Sequence, residues 1–422
     1  MGMEQAITER SIKGLLRGAD FHRNPELQND TYLSFYIAET LSYAQSPNNL
    51  PISIVKSSRQ INKKEKDIFS SSCFFETLLL RSISKNLKSV APKGKDRKHL
   101  TREVKENLKW GPQRLILKLD ISSFYQSFNN EFVRRTVERE HRLSIQTRTL
   151  LMRYLDYHWE SGHCGLPQGL EFSNSLSELC MVKFDDKITN HPDCLYYCRF
   201  VDDILIVLST KHSQREKMYR ELKLLLASDL TFNGDKLLLV EIPKKFGNPN
   251  VSFDYLGYKH IITGNPDSKL PITEGLEKSQ HDVFYRKTET RLSSSKSKRI
   301  KNKIYKSFHS YVKNDDIKLL YDRLDYLTSN RTSGKSRKKK LSGLYYDNSE
   351  LTHLDDLKAL DKFLIKMING GLGTLSGKVK LTKRQKNKLS NKSFCRRFKS
   401  KFFRRFSHYR KAEVLEIWRS DR

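Results

Sequence analysis

The most constraining feature of the sequence is a pair of adjacent carboxylates between two apolar runs. Asp202-Asp203 follows residues 195–201 and precedes residues 204–208. Short runs rich in Val, Ile, Tyr and Phe are typical of strands, so this segment predicts a β-hairpin with the two Asp residues at its tip. Adjacent carboxylates repel each other, and burying them beside apolar strands is costly unless a divalent cation compensates their charge. A solvent-exposed Asp-Asp turn is the alternative interpretation.

A second strand ends in a third carboxylate. In residues 114–120, leucines alternate with other residues, and this period of two predicts a strand that ends at Asp120. If that strand lies beside the hairpin, Asp120 joins Asp202 and Asp203. Nucleotidyl transfer uses two Mg²⁺ ions roughly 3.5–4 Å apart, and Mg²⁺ prefers hard oxygen ligands on rigid supports. The three residues therefore predict a two-metal site.

The charge of the chain indicates a polyanionic partner. Lys and Arg number 79 against 48 Asp and Glu, a formal charge of +31. Nucleic acid is the usual partner of so basic a chain, because each neutralised phosphate releases counterions. A membrane surface is the second candidate. No apolar run is long enough to span a bilayer and the N-terminus has no apolar signal core, so we expect a cytoplasmic protein without membrane contact.

Five segments follow one another in an order that is typical of one family. They are residues 120–125 (Asp-Ile-Ser-Ser-Phe-Tyr), 166–169 (Leu-Pro-Gln-Gly, with Ser173 and Asn174 behind it), 200–203 (Phe-Val-Asp-Asp), 233–236 (Asn-Gly-Asp-Lys) and 253–258 (Phe-Asp-Tyr-Leu-Gly-Tyr). In this order they resemble motifs A to E of the reverse transcriptases. The family usually has Tyr where Phe200 stands, which is a conservative departure. The resemblance extends from about residue 114 to 260.

The resemblance implies an RNA-directed DNA polymerase that adds dNTPs to a 3′-hydroxyl. Asp120, Asp202 and Asp203 are then its catalytic carboxylates, and with Ile121 they hold two Mg²⁺ ions, or Mn²⁺ in their place. Lys236 resembles the lysine that protonates the leaving pyrophosphate. An exposed loop lysine is the alternative for Lys236.

The same resemblance assigns residues to the incoming nucleotide and to the primer. Tyr125 would lie under the sugar, where its ring would exclude a 2′-hydroxyl; a core tyrosine is the alternative. Gln168 would lie near the nascent base pair, and Gly169 would permit a close backbone approach. Leu256 and Gly257 would form the turn of the primer grip. The candidates for basic fingers residues at the triphosphate are Lys56, Arg59, Lys63 and Lys64, of which Lys56 and Arg59 are assigned to the dNTP.

The expected fold is α+β, a right-hand polymerase in which the fingers and a palm with an antiparallel sheet precede a basic helical thumb. The expected domains are N-terminal helices and fingers in residues 1–113, the palm with an interleaved fingers segment in 114–262, the thumb in 263–345 and a basic helical extension in 346–422. Residues 52–55 are expected to form a short strand and residues 74–83 a helix. Strands are expected to be absent after residue 274.

An aromatic stripe marks the C-terminal extension. No Asp or Glu occurs between Lys362 and Ala412. Within that span phenylalanines recur at near-helical spacing, at Phe394, Phe398, Phe402, Phe403 and Phe406. This spacing predicts a helix that packs its aromatic residues on the core and turns its basic residues outward. The basic face would then be free to bind a phosphate backbone.

The subgroup and the partners follow from the resemblance alone. No carboxylate set of an RNase H domain follows the thumb, and no Cys/His pattern of an intron endonuclease is present. The chain is similar to bacterial defence-associated reverse transcriptases of the abortive-infection type. The expected partners are an RNA template, which in that group includes dedicated non-coding RNAs, dNTPs, the DNA product, and a partner protein or second copy. The alternatives are a group II intron maturase and a non-catalytic RNA-binding protein with a polymerase fold.

Overall fold

The computed structural model describes residues 5–61, 64–110, 113–209, 215–227, 229–243, 250–269, 284–333 and 340–419. The chain forms two compact units. The first unit comprises Met1–Lys95 and Arg114–Glu241, and the second comprises Asp96–Gln113 and Ile242–Arg422. The segment before Arg114 therefore groups with the C-terminal half of the chain, whereas the four domains expected from the sequence remain a prediction.

Helices make up most of the described chain. In order they are α1 (Glu9–Lys13), α2 (Gly18–Arg23), α3 (Asp30–Gln45), α4 (Phe74–Val90), α5 (Arg97–Leu108), α6 (Asn130–Arg139), α7 (Ile145–Glu160), α8 (Ser173–Thr189), α9 (Arg215–Leu225), α10 (Ser294–Asn314), α11 (Ile317–Thr328), α12 (Asp355–Ile368), α13 (Lys383–Ser390), α14 (Phe394–Lys399) and α15 (His408–Arg419). The helix predicted at residues 74–83 is confirmed as the first part of α4.

The strands are between four and twelve residues long, and the sheets are mainly antiparallel. In order they are β1 (Ile54–Ile61), β2 (Lys64–Ser71), β3 (Arg114–Asp120), β4 (Cys194–Phe200), β5 (Asp203–Leu208), β6 (Leu238–Ile242), β7 (Val251–Tyr255), β8 (Tyr258–Lys269), β9 (Phe284–Leu292), β10 (Asn330–Ser333) and β11 (Lys340–Gly343). The mixture of helix and antiparallel sheet confirms the α+β class.

The first unit is built around a four-stranded sheet in the order β4-β5-β3-β6. Leucines of β3 and isoleucines of β5 are fully buried in its core, together with α8 residues such as Leu176. Burial on both faces explains why β5 is a continuous apolar run rather than an alternating one. The strand predicted at residues 114–120 is confirmed as β3.

A β-hairpin occupies the stretch of residues 54–71. The sequence predicted only a short strand at residues 52–55 followed by a polar basic stretch, whereas β1 and β2 are both eight residues long. Charged residues on both strands hide the alternation. The base of the hairpin is fixed by Glu76, which is fully buried on α4. Its carboxylate accepts hydrogen bonds from the Ser53 N–H and hydroxyl and from the Ser71 hydroxyl, at 3.1, 2.8 and 2.5 Å.

The second unit contains strands that the sequence did not predict. A three-stranded sheet has the order β7-β8-β9, and β10 pairs with β11. The expectation that strands end before residue 274 is therefore wrong, and residues 263–345 are not purely helical. The reason is visible in β9, where Arg286 and Thr290 are buried along with Leu292. A buried strand face that carries charged and hydroxyl side chains has no hydrophobic alternation to detect.

The C-terminal aromatic stripe is not one helix. Phe394 and Phe398 are buried on α14, but Lys401 adopts a left-handed φ of 50° after the helix ends. The backbone N–H of Asn330 in β10 then donates a 2.8 Å hydrogen bond to the Phe402 carbonyl. Phe402 and Phe403 are left 36% and 43% exposed. The single-helix prediction is wrong because the chain after Lys401 forms hydrogen bonds with the edge of β10 instead of continuing the helix.

None of the helices in the described part of the chain combines the length and the apolar character that crossing a membrane requires.

Candidate active site

The register of the central sheet brings two predicted carboxylates side by side. β3 pairs antiparallel with β5, and Asp120 is the direct partner of Asp203. Directly opposed residues project from the same face of a sheet. β4 and β5 form the predicted hairpin, in which Phe200 pairs with Asp203 and Val201 and Asp202 make the two-residue turn. Asp202 is therefore at the tip, and Asp203 begins the strand.

Lys236 lies against Asp120. Asn233 donates its backbone N–H to the Asp120 carbonyl at 2.7 Å, and residues Gly234–Lys236 make one 3₁₀ turn. This turn places the Lys236 Nζ 2.9 and 2.8 Å from the two carboxylate oxygens of Asp120. Burial alone would lower the pKa of Lys236, but the hydrogen bonds and the nearby carboxylates outweigh it and raise the pKa. Lys236 is therefore a protonated cation at neutral pH.

The two carboxylates of the hairpin are electrostatically crowded. Burial raises the pKa of Asp202, and the negative charge of Asp120 raises it further, while Lys236 and Lys66 act in the opposite direction. The pKa of Asp203 is likewise raised by burial and then by Asp202. Like charges held this close favour any bound cation that compensates them.

A cleft of about 900 Å³ opens over these residues within the first unit. It gathers side chains from the β1–β2 hairpin and from the segments that resemble motifs A to D. The lining residues are Lys56, Ser58, Glu65, Lys66, Asp67, Asp120, Ile121, Ser122, Ser123, Phe124, Tyr125, Gln126, Gln168, Val201, Asp202, Asn233 and Lys236. The volume suits a small-molecule site. Asp203 is not among the described residues that line the cleft.

Among the described side chains, the hairpin contributes Lys56 and Lys66 to the cleft, and of these two cations only Lys56 was predicted. Lys56 lines it and forms an ion pair of 2.9 Å with Asp67. Lys66 also lines it and was missed, because residues 56–71 were interpreted as a polar stretch without strand pairing. Arg59 is paired with Lys66 in the register. The side chains of Arg59 and Lys64, and Lys63 as a whole, lie outside the described residues.

Gln168 and Gly169 form the junction between this hairpin and α8. The backbone N–H of Phe69 in β2 donates a 2.8 Å hydrogen bond to the Gln168 carbonyl. Gly169 has a φ of +116°, and a Cβ there would lie 2.5 Å from the Phe69 carbonyl oxygen. The sequence predicted a close backbone approach at Gly169, and the structure shows one, to the chain's own hairpin.

Tyr125 borders the cleft beside Phe124. The two rings are 5.3 Å apart in an edge-on arrangement, and the Tyr125 hydroxyl is 3.4 Å from the Asn174 side-chain oxygen. Burial, followed by the charges of Asp202 and Glu178, raises the pKa of Tyr125 to about 12. Tyr125 is therefore an uncharged ring at the wall of the cleft. Part of the side chain is buried against the core, and part of it is accessible from the cleft.

The predicted primer-grip residues belong to the second unit. Leu256 and Gly257 form the turn between β7 and β8, with φ angles of 48° and 80°. Tyr255 pairs with Tyr258 across this turn. The turn is thus as tight as predicted, and its role at a primer remains a prediction.

The donor set fits Mg²⁺. Among the described residues, no group of three His, Cys, Asp or Glu side chains is close enough to hold a metal ion. The Asp120 carboxylate is hydrogen-bonded to Lys236, and Asp202 and Ile121 line the same cleft. Mg²⁺ in phosphate-transferring sites is usually held by one or two carboxylates, waters and substrate phosphates. If Mg²⁺ binds in this cleft, Asp120 and Asp202 would be its protein ligands, and the Ile121 carbonyl oxygen would be a further hard donor.

Asp120 and Asp203 oppose each other across β3 and β5, Asp202 lies at the adjoining hairpin tip, and the β1–β2 hairpin supplies cations to the same cleft as Asp120 and Asp202. The profile of the family described as reverse transcriptase (RNA-dependent DNA polymerase) matches residues 55–260, from β1 into β8. These residues are a reverse transcriptase domain, and the chain is a nucleotidyltransferase of the RNA-directed DNA polymerase class. Its substrates are accordingly an RNA template and dNTPs, and its product is DNA. Among curated proteins, none matches the chain.

Replacing Gly169 by Ala tests the hairpin junction. The added methyl must push the Phe69 carbonyl away, which moves β2 and Lys66, and displacements of about 1 Å cost roughly 100-fold in rate. We expect Gly169→Ala to lower nucleotide incorporation by about that factor. The matched control is Gly162→Ala, because Gly162 also has a positive φ (+79°) but a methyl added there would meet nothing within 4 Å.

Gly162→Ala should lower the unfolding free energy by about 1–2 kcal/mol, which is the conformational cost of a left-handed alanine. Its activity should be unchanged. Incorporation rates and urea unfolding curves of both variants make the comparison. Equal incorporation by Gly169→Ala and Gly162→Ala would contradict a positioning role for the junction.

Proposed function

We propose that the enzyme extends a 3′-hydroxyl with dNTPs by two-metal catalysis, with Asp120 and Asp202 as the principal metal ligands. The observation that supports this most directly is the shared cleft, since it contains Asp120, Asp202 and Tyr125 together with the cations of the hairpin. Two divalent ions would activate the 3′-hydroxyl and neutralise the triphosphate. Asp203, the strand partner of Asp120, would keep the local field negative and support the hairpin tip.

Lys236 would act on the leaving group. Its ammonium lies at the cleft, 2.8 Å from the Asp120 carboxylate. More than half of its side chain is exposed, so the Nζ can reach a ligand in the cleft. We propose that it donates a hydrogen bond, and then its proton, to the departing pyrophosphate.

The remaining lining residues would bind the nucleotide. Lys66 and Lys56 are the described cations of the hairpin, and we assign them to the triphosphate with Arg59 as the neighbouring strand residue. Tyr125 would lie under the sugar and Gln168 near the base pair. The Gln168 side-chain oxygen accepts a 3.2 Å hydrogen bond from Gln126, which holds it at the cleft wall.

A second cleft of about 410 Å³ in the same unit would accept a nucleic-acid strand. It is bounded by Lys88 of α4, by Lys93 and Lys95 in the segment after that helix, and by Asn174 and Val201. Val201 also lines the first cleft, and Asn174 contacts the hydroxyl of Tyr125, which lines it too. Lysines that contact phosphates would position a strand without reading its sequence, as a template requires.

Asp202→Asn tests the carboxylate assignment. The substitution keeps the shape and removes the negative charge, so incorporation should fall by more than roughly 100-fold. The assay uses purified protein, Mg²⁺, labelled dNTPs and whatever RNA co-purifies, and the product is sequenced. Asp186→Asn on the exposed side of α8 is the control and should retain activity. Substantial synthesis by Asp202→Asn would refute the metal assignment.

Tyr125 is tested by its effect on sugar choice. Tyr125→Ala removes the ring, so the preference for dNTPs over rNTPs in kcat/KM should fall by about tenfold or more. Tyr125→Phe keeps the ring and loses only the hydroxyl that faces Asn174, so its preference should remain. If Tyr125→Ala discriminates against rNTPs as strongly as the unmodified enzyme does, Tyr125 is a core residue only.

The biological role that we propose is antiviral defence with a dedicated RNA. It is supported by the Leu-Pro-Gln-Gly-Leu and Phe-Val-Asp-Asp sequences and by the basic C-terminal region that follows the matched residues 55–260. Cells that carry the unmodified enzyme should then show fewer phage plaques than cells that carry Asp202→Asn. Equal plaque counts across a phage panel would contradict the role while leaving the polymerase assignment intact.

A further inference from the structure

The turn that carries Asp202 has a costly backbone conformation. Val201 has a φ of 62°, in the left-handed region that β-branched residues rarely adopt. Such a conformation persists only where surrounding contacts fix it, and it is typical of functional sites. The contacts that fix this turn therefore indicate how Asp202 is held.

Both peptide planes beside Asp202 are anchored by hydrogen bonds. The carbonyl oxygen of Val201 accepts a 3.0 Å bond from the Arg199 guanidinium. The carbonyl oxygen of Asp202 accepts a 3.2 Å bond from the Ile121 N–H. Fixing the planes on either side of one Cα fixes its φ and ψ, and with them the direction in which the Cα–Cβ bond leaves the backbone. Of these two donors, only Arg199 is a side chain.

Arg199 is itself held rigidly by α8. Its side chain is only 4% exposed, and it donates to both carboxylate oxygens of Asp185 at 2.9 and 2.7 Å. It also donates to both oxygens of Glu178 at 3.2 and 2.8 Å. The Tyr197 hydroxyl donates to Asp185 at 2.5 Å. The planar fork of arginine can serve two carboxylates and a carbonyl at once, which a lysine ammonium cannot do with the same geometry.

We propose that Arg199 is a positioning residue that sets metal affinity by aiming the Asp202 carboxylate through the Val201 carbonyl. The inference rests on the proposed role of Asp202 as a metal ligand. It assigns a function to a buried ion-pair network that the chemistry itself does not use. Groups that orient a metal ligand typically contribute 10–100-fold to metal affinity.

The test measures Mn²⁺ binding to the purified full-length chain by calorimetry, with no nucleotide or RNA added. Arg199→Lys should weaken Mn²⁺ binding about tenfold or more. The matched control is Arg81→Lys in the same unit. Arg81 is 6% exposed, donates to both oxygens of Asp20 and to the Leu15 carbonyl, and so loses the same kinds of bonds. Arg81→Lys should bind Mn²⁺ within twofold of the unmodified protein.

Thermal unfolding of each variant separates positioning from stability. If Arg199→Lys binds Mn²⁺ as well as Arg81→Lys does, the positioning role is wrong and the network is only structural. If Arg199→Lys does not fold, Glu178→Gln decides, because it removes one partner of Arg199 that is 19% exposed. Glu178→Gln should weaken binding several-fold, and unchanged binding would overturn the proposal.

Asp202→Asn in the same assay separates the two proposals. It should abolish most Mn²⁺ binding if Asp202 is a ligand. If Asp202→Asn binds normally, the metal assignment fails, whatever Arg199 does. If Asp202→Asn loses binding and Arg199→Lys keeps it, only the positioning role fails.

Discussion

The pairing of β3 with β5 is the interaction on which the site depends. It puts Asp120 opposite Asp203 and leaves Asp202 at the adjoining turn. A shift of one residue in either strand would turn every side chain to the other face of the sheet and separate the carboxylates. The buried Leu and Ile residues of both strands oppose such a shift, because it would expose them. The hydrophobic core thus fixes the geometry of the most polar part of the unit.

The site is a small acidic region in a strongly basic chain. Burial raises the pKa of Asp202 and of Asp203, the neighbouring carboxylates raise both pKa values further, and the cation of Lys236 acts in the opposite direction on each. The carboxylates of the cleft are suited to binding metal ions, and its ammonium groups are suited to binding phosphates. A net charge of +31 draws a polyanion to the protein, and in the proposed mechanism the carboxylates of the cleft would then hold the metal ions against it.

Much of the site could be predicted from the sequence, because β3, β4 and β5 are regular strands whose ends coincide with the carboxylates. The β1–β2 hairpin could not, since charged residues on both strands hide its alternation, and Lys66 was missed with it. β9 was missed because Arg286 and Thr290 occupy its buried face. The aromatic stripe was misinterpreted because pairing with Asn330, distant in sequence, overrides local helical spacing at Phe402. Local sequence patterns mispredict secondary structure where hydrogen bonds to residues distant in the sequence determine it.

At Val201 the first unit has a backbone conformation that lowers its stability but fixes the position of Asp202. A glycine there would adopt the left-handed turn without steric cost, but it would also widen the range of conformations open to the neighbouring Asp202. A valine allows few conformations, and the bonds from Arg199 and Ile121 select one that valine alone would avoid. Strain of this kind is usual where one side chain must point in one direction. The buried Arg199 network is thus best understood as the part of the fold that makes a strained turn permanent.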